Sequence, residues 1–304
     1  MYDVIIIGAG VAGISAAIYA KRSNLNVLIL EKESPGGQVN KTATIENYPG
    51  FTKIEGPDFA FKLFEQLQQL KVDYKRLEVK EIKDNGDYKT IITNKDSYQA
   101  KTVIIATGRV PRKLGKENED KLYGRGISFC SICDGKLYKD KHIAVIGGGN
   151  SAIEESLYLS SLASDLTLIH RNEKLRADET LINELKNKDN VEILYNTEVE
   201  KFNENNNVLD SIEIKDTQNR NNNILKVDGV FVFIGYEPAS DFIKNLGILN
   251  ENGYVVVNNK METKIPGIYA CGDIIKKDVY QIVTAESEGA IAATFAKKYI
   301  DNSN

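Results

Sequence analysis

The chain has 304 residues, enough for two domains with a hydrophobic core each, and the balance of apolar and charged residues of an ordinary soluble globular protein. Its 39 Lys and Arg against 43 Asp and Glu leave a formal charge of -4, so no basic excess exists to fasten phosphate backbones and nucleic acid is not expected as a partner. The apolar run Val4 to Ile7 is too short for the core of an export signal and breaks at Gly8, which predicts a cytoplasmic protein without membrane attachment.

In chain order, Tyr2 to Ile7 reads as an apolar strand, Gly8-Ala9-Gly10-Val11-Ala12-Gly13 as a tight turn, Ile14 to Arg22 as an alanine-rich helix, and Val27 to Leu30 as a second strand ending in Glu31. This is a βαβ unit carrying G-x-G-x-x-G: Gly8 makes the turn, Gly10 lets a pyrophosphate approach the backbone, and Gly13 packs helix on strand. The free amides of the helix start face the phosphates, and Glu31 stands where a carboxylate accepts ribose hydroxyls and repels a further phosphate. The ligand is an adenine dinucleotide without a 2′-phosphate, either FAD or NAD. Pro35-Gly36-Gly37-Gln38 and Glu46-Asn47-Tyr48-Pro49-Gly50 are turn-rich loops that suit a backbone wrapped around a large cofactor, although taken alone they read more readily as plain turns. Pro57 to Lys71 has the spacing of an amphipathic helix. Strands are expected around Tyr74 to Ile82, Tyr88 to Thr93 and Lys101 to Ala106, the last closing in Thr107-Gly108.

Beyond a boundary near Pro111 to Lys113 comes Cys130-Ser131-Ile132-Cys133-Asp134-Gly135. A C-x-x-C pair closes a small disulfide ring or forms half of a zinc site, and on the pair alone both readings stand. The other half of a zinc site is missing, because Cys271 is the only further cysteine and neither His142 nor His170 makes a second ligand pair at the usual spacing. Redox chemistry is the better reading, with Asp134 as the proton source. Three cysteines in a cytosolic chain do not make a structural disulfide framework, which strengthens it.

The βαβ pattern then repeats. Ile143 to Ile146 is a strand, Gly147-Gly148-Gly149-Asn150-Ser151-Ala152 a second glycine turn, Ile153 to Leu162 a helix, and Leu166 to Ile169 a strand. In place of the acid stand His170 and Arg171, with Lys174 and Arg176 close behind, and cations at that point suit a 2′-phosphate. One site should therefore hold FAD and the other NADPH. A helix over Thr180 to Lys186 and strands near Val191 to Tyr195, Ser211 to Lys215 and Val227 to Ile234 follow. The asparagine runs 205–207 and 221–223 read as polar turns. A strand at Tyr254 to Val257 precedes the apolar strand ending in Cys271-Gly272-Asp273, whose carboxylate can hold a cofactor hydroxyl, and a helix runs from near Gln281 to Tyr299. Cys271 reads as a small core residue.

The expected fold is α/β, with two Rossmann-like, three-layer ββα dinucleotide-binding domains, the second inserted in the first: residues 1–113 and 244–304 around FAD, and 114–243 carrying the NADPH site and the redox pair. In the combination of Gly8 to Gly13, Gly36-Gly37-Gln38, Glu46 to Gly50, Ala106-Thr107-Gly108, Gly124 to Ser128, Cys130 to Gly135, Gly147 to Ala152, His170-Arg171 and Gly272-Asp273, the chain resembles the low-molecular-weight thioredoxin reductases of bacteria over essentially its whole length. The resemblance implies that Cys133 lies against the flavin, Cys130 exchanges with a thioredoxin or thioredoxin-like protein, and Asp134 is the general acid. It further implies a homodimer, a rotating NADPH domain, and flavin-lining positions at Gln38, Asn47, Gln281 and Ile282. Two departures stand out. The family usually reads His-Arg-Arg at the 2′-phosphate, where Asn172 follows Arg171 here, and Tyr280 replaces a frequent Arg before Gln281. The expected activity is NADPH-dependent reduction of a thioredoxin disulfide through FAD and Cys130/Cys133. The rivals are a flavin-dependent dithiol oxidase and a ferredoxin-dependent disulfide reductase of the same fold, against which Gly147 to Ala152 and His170-Arg171 respectively argue.

Overall fold

In the computed structural model, which describes residues 1–42 and 44–303, the apolar runs Tyr2–Ile7 and Val27–Glu31 pair in parallel, with Val4 opposite Val27 and Ile7 opposite Leu30. Strands so uniformly apolar can only be central, covered on both faces, and Val4, Ile5, Ile6, Leu28 and Ile29 are essentially inaccessible to solvent. The nine-residue strand Ser97–Ile105 lies parallel on the other side of Tyr2–Ile7 and shares its free edge between two partners. Lys89–Thr93 takes the first half in antiparallel register, and Ile268–Ala270 takes Val103 to Ile105 in parallel. The stretch read as strands around Tyr74 to Ile82 resolves into Asp73–Arg76 and Val79–Asp84, which stand at opposite ends of this seven-stranded sheet. Tyr254 to Val257 forms no ladder: Val255 makes only isolated bridges, to Leu249 and Ile275.

The helices Val11–Arg22 and Ile282–Ser303 pack closely because their facing residues are small: Ala12 and Ala16 on one, Gly289, Ala292 and Ala293 on the other. A Cβ on Gly289 would lie 2.2 Å from the Ala12 carbonyl oxygen. Alanine gains about 1 kcal/mol over glycine in helix propensity, but here it must push two backbones apart, which costs about 1–3 kcal/mol. Gly289→Ala should therefore lower the urea midpoint of unfolding; a midpoint at or above that of the parent protein would show that the helices separate freely.

By internal contacts the chain divides into two compact units, Met1–Val110 with Glu237–Asn304, and Pro111–Tyr236. In the second unit a five-stranded, all-parallel sheet runs in the order Ile127–Ser128, Gly229–Phe233, His142–Gly147, Asp165–Ile169, Val191–Leu194. Alternation sorts its side chains. Ile143 and Val145 join the core beneath helices Asn150–Ser160 and Glu179–Lys186, while Ala144 and Ile146 face a three-stranded antiparallel layer, Thr197–Asn205, Val208–Asp216 and Asn222–Lys226. That is the expected ββα sandwich. Two of the layer's strands escape the sequence pattern. Thr197–Asn205 has a register shift between Val199 and Lys201, which breaks its period of two, and Asn222–Lys226 is an edge strand, so Asn222 and Asn223 lie in a strand and the turn expected at 221–223 falls earlier, at 217–219. Among the described residues no helix is long and apolar enough to cross a membrane.

Candidate active site

In the first unit the glycine turn is built as its spacing requires. Gly8 has φ +103° and a Cβ there would lie 2.4 Å from the Ala106 carbonyl oxygen; one on Gly13 would lie 1.9 Å from that of Gly8. Gly10 differs, because its Cβ position meets nothing within 4 Å. The room beside Gly10 is therefore not filled by protein, as a backbone cradle for a dinucleotide demands. Glu31 accepts hydrogen bonds from the backbone amides of Ala9 and Glu33, both at 2.7 Å, which ties the strand end to the turn. Each carboxylate oxygen keeps a second lone pair for a hydroxyl donor.

Around this turn the structure gathers residues far apart in the chain. The Gly36 amide donates to the Ala9 carbonyl at 2.7 Å, and Gly37 lies against Gly10. Gln38 Nε2 donates to the Arg109 carbonyl at 2.9 Å, Thr107 Oγ1 to that of Ala239 at 2.9 Å, and Asn47 Nδ2 to Gln281 Oε1 at 3.1 Å, next to Ile282 at the start of the last helix. Gly108, at φ +65°, is open like Gly10, and Gly272, at φ +77°, rests on Ala12. Asp273 faces two cations, Arg109 at 3.1 Å and Lys277 at 3.4 Å. The Arg109 guanidinium stacks 3.9 Å over the ring of Tyr280, so a cation does stand at this position although residue 280 is not itself basic.

In the second unit Cys130 and Cys133 form a disulfide with Cα atoms 5.4 Å apart. Cys130 is the N-cap of the four-residue helix Ser131–Asp134, and its Sγ accepts the backbone N–H of Cys133 at 3.2 Å. Cys130 is buried and Cys133 exposed. The hydroxyl of Ser128, itself buried, accepts the Cys130 amide at 3.0 Å and donates to Asp134 Oδ2 at 2.6 Å, which ties the carboxylate to the sulfur-bearing turn. Cys271 is fully buried in the first unit; burial, and then the nearby Glu288 carboxylate, push its thiol far up, so it stays an inert core residue.

The second glycine turn repeats the first. A Cβ on Gly147 would lie 2.4 Å from the Phe233 carbonyl oxygen, whereas Gly149 opens onto free space. Asn150 and Asp178 lock together, Asn150 Nδ2 donating to the carboxylate and the Asp178 amide to Asn150 Oδ1, both at 2.9 Å, beside the exposed Ser151. The Arg176 amide donates to the Gly148 carbonyl at 2.7 Å, which folds the loop after Ile169 back over the turn. Among the described residues the exposed side chains of Arg171 and Arg176 enter no ion pair, so two guanidinium groups are available at the end of this strand. His170, adjacent in sequence, lies elsewhere. Its ring is buried against Gly148, with Nδ1 3.1 Å from the Gly147 carbonyl oxygen and Nε2 2.9 Å from that of Lys174. Both nitrogens face main-chain carbonyl oxygens, so the ring shapes the loop that carries Arg171 and Arg176 and does not face outward with them.

The sequence pattern of the pyridine nucleotide-disulphide oxidoreductases matches residues 2–289. The thioredoxin reductase of Bacillus subtilis is 43% identical over 99% of this chain and 95% of its own length. The crystal structure of thioredoxin reductase from Lactococcus lactis superposes with a TM-score of 0.90 at 40% identity, covering 99% of this chain and all of the other. The chain belongs to the pyridine nucleotide-disulphide oxidoreductase family. It is an oxidoreductase of the kind that works with a flavin and a nicotinamide nucleotide, and its two α/β units are those of the matched structures.

In this family member two site residues, Arg109 and Glu155, belong to no motif and come to the site only through folding, whereas Ser128 closes the motif Gly124 to Ser128 without showing there its bond to Asp134. Glu155 alone carries a local signal: it is three residues after buried Ala152 and four before buried Leu159, on the inward stripe of its helix, where an acid is out of place.

Proposed function

We propose that this protein is an NADPH-dependent thioredoxin reductase that holds FAD on the first unit and NADPH on the second, works as a cytoplasmic homodimer, and passes electrons to a thioredoxin-like protein through Cys130 and Cys133. The observation that carries the reading is the redox turn itself: a disulfide whose buried sulfur accepts an amide hydrogen bond and whose acid is tied to it by a buried serine. When bound, the two cofactors supply the electron pair that opens the disulfide. Gly8, Gly10, Ala12, Gly13, Glu31, Gly37, Gln38, Asn47, Thr107, Gly108, Gly272, Asp273, Gln281 and Ile282 would hold FAD; Gly147, Gly149, Asn150, Ser151, Arg171 and Arg176 would hold NADPH, with His170 shaping their loop. The unpaired guanidinium groups favour a nicotinamide nucleotide with a 2′-phosphate over a ferredoxin as electron source.

Opening the S–S bond takes two electrons and leaves two sulfurs. Cys130, with the Cys133 amide to stabilise its negative charge, is the better thiolate and attacks the partner's disulfide. A mixed disulfide forms and one partner sulfur leaves, taking a proton from Asp134. Cys133 then attacks Cys130 in the mixed disulfide, the second partner sulfur leaves, and the ring closes again. An anaerobic titration of the purified, yellow protein tests the reading. NADPH should bleach the flavin and deliver a second electron pair to the disulfide, and NADH should do so only at higher concentration. Protein that carries no flavin and takes none up would overturn it.

A further inference from the structure

The four-residue helix that carries the redox pair is too short to hold its own shape. It is seated on the helix Asn150–Ser160. Gly135, next after the acid, is buried against Leu159, Leu162 and Tyr158, near enough that a Cβ would come within 3.1 Å of Leu159. On its other side Ser131, 1% exposed and lying between the two cysteines, donates its hydroxyl to Glu155 Oε2. Glu155 is a partly buried carboxyl that enters no ion pair among the described residues; burial holds it above the usual carboxylate range, against the Ser131 hydroxyl, which favours its charged form. A buried acid with no cation beside it is costly, and nothing in the electron path described above uses it.

We infer that Glu155 is a positioning residue for the Cys130/Cys133 pair: as acceptor for Ser131 it keeps the turn in its ring-closing shape while the S–S bond is open. The inference rests on the proposed redox role of the pair. In the oxidised protein the covalent ring holds the turn by itself. In the reduced protein that restraint is gone, and the grip of Glu155 on Ser131, with that of Ser128 on Cys130, is what keeps the two sulfurs within reach. Loosening it lowers the effective concentration of one thiol at the other. The dithiol becomes easier to keep, and closing the ring on the mixed disulfide becomes slower.

The test compares Glu155→Ala, Glu155→Gln and Ser131→Ala with the parent as flavin-loaded proteins. Three quantities are measured: NADPH-driven reduction of a thioredoxin, NADPH-driven reduction of ferricyanide, which bypasses the sulfurs, and the equilibrium of the pair with dithiothreitol. Glu155→Ala and Ser131→Ala should each slow thioredoxin reduction about tenfold and shift the equilibrium toward the dithiol by about tenfold, which is about 30 mV, with ferricyanide reduction unchanged. The double variant should be no worse than either single one. Glu155→Gln, which keeps an acceptor oxygen, should restore both quantities to within about threefold of the parent. Thioredoxin reduction and equilibrium at parent values in Ser131→Ala, or a glutamine variant as impaired as the alanine one, would overturn the inference, as would equal loss of the thioredoxin and ferricyanide activities. If Glu155→Ala does not fold, Ser131→Ala cuts the same bond with a one-atom deletion. A parent protein inactive on every disulfide would instead overturn the functional reading on which the inference rests.

Discussion

Replacing either Cys130 or Cys133 by serine is expected to reduce thioredoxin reduction on the order of a thousandfold or more, since a missing nucleophile leaves no covalent route, while ferricyanide reduction by NADPH persists. The two variants should differ in what they trap. The donor that stabilises the Cys130 sulfur is the backbone amide of residue 133, and it survives Cys133→Ser. That variant keeps a competent Cys130 thiolate with no second sulfur to resolve the adduct, so it should accumulate a mixed disulfide with thioredoxin, visible as a band that disappears on reduction. Cys130→Ser loses the sulfur that the amide serves and should trap little. Trapping by Cys130→Ser alone would reverse the assignment of the two roles.

Coenzyme choice should respond almost as strongly. Arg171 and Arg176 are carried on a loop stitched to the second glycine turn through the Arg176 amide and the His170 ring. A 2′-phosphate bears nearly two negative charges, and each charge-assisted hydrogen bond contributes about 1.5–3 kcal/mol. Both groups are exposed and screened by solvent, so the low end applies to each. Arg171→Ala combined with Arg176→Ala should raise the KM for NADPH about a hundredfold and leave that for NADH within about twofold. Asn172→Arg, which restores a third cation, should lower the KM for NADPH by up to about tenfold. Steady-state kinetics with both coenzymes decides the matter. Equal efficiency with NADH and NADPH in the parent, unmoved by the double substitution, would reduce the basic loop to a solvated turn.

Much of this protein is legible in its sequence because the informative patterns are local. A strand, a glycine turn and a helix follow one another within about thirty residues, and the burial of Val4 to Ile7 and of Ile143 to Ile146 is written in their own apolar character. Local patterning fails where a strand's pairing depends on a neighbour. The register shift after Val199 hides the strand Thr197–Asn205 from a period-two reading, and the apolar Tyr254 to Val257 looks like a strand but finds only isolated bridging partners.

Residue order alone suffices to read the two dinucleotide folds, the cysteine pair with the acid behind it, and the opposite charge at the ends of the two second strands. Each of these is a matter of residue type at short spacing. Which groups face one another came from folding: across long stretches of chain, Arg109 on Asp273 and over Tyr280, Glu155 on Ser131, and the His170 ring turned in on Gly147, and within one turn-rich segment, Ser128 on Asp134. His170 shows the reason. Beside Arg171 it reads as a cation for a ligand, but its ring fills the space above Gly148, where any side chain would clash, and two main-chain carbonyls there lie within hydrogen-bonding distance of it. A side chain's partners are set by what packing leaves within its reach, and that depends on residues that no local pattern connects.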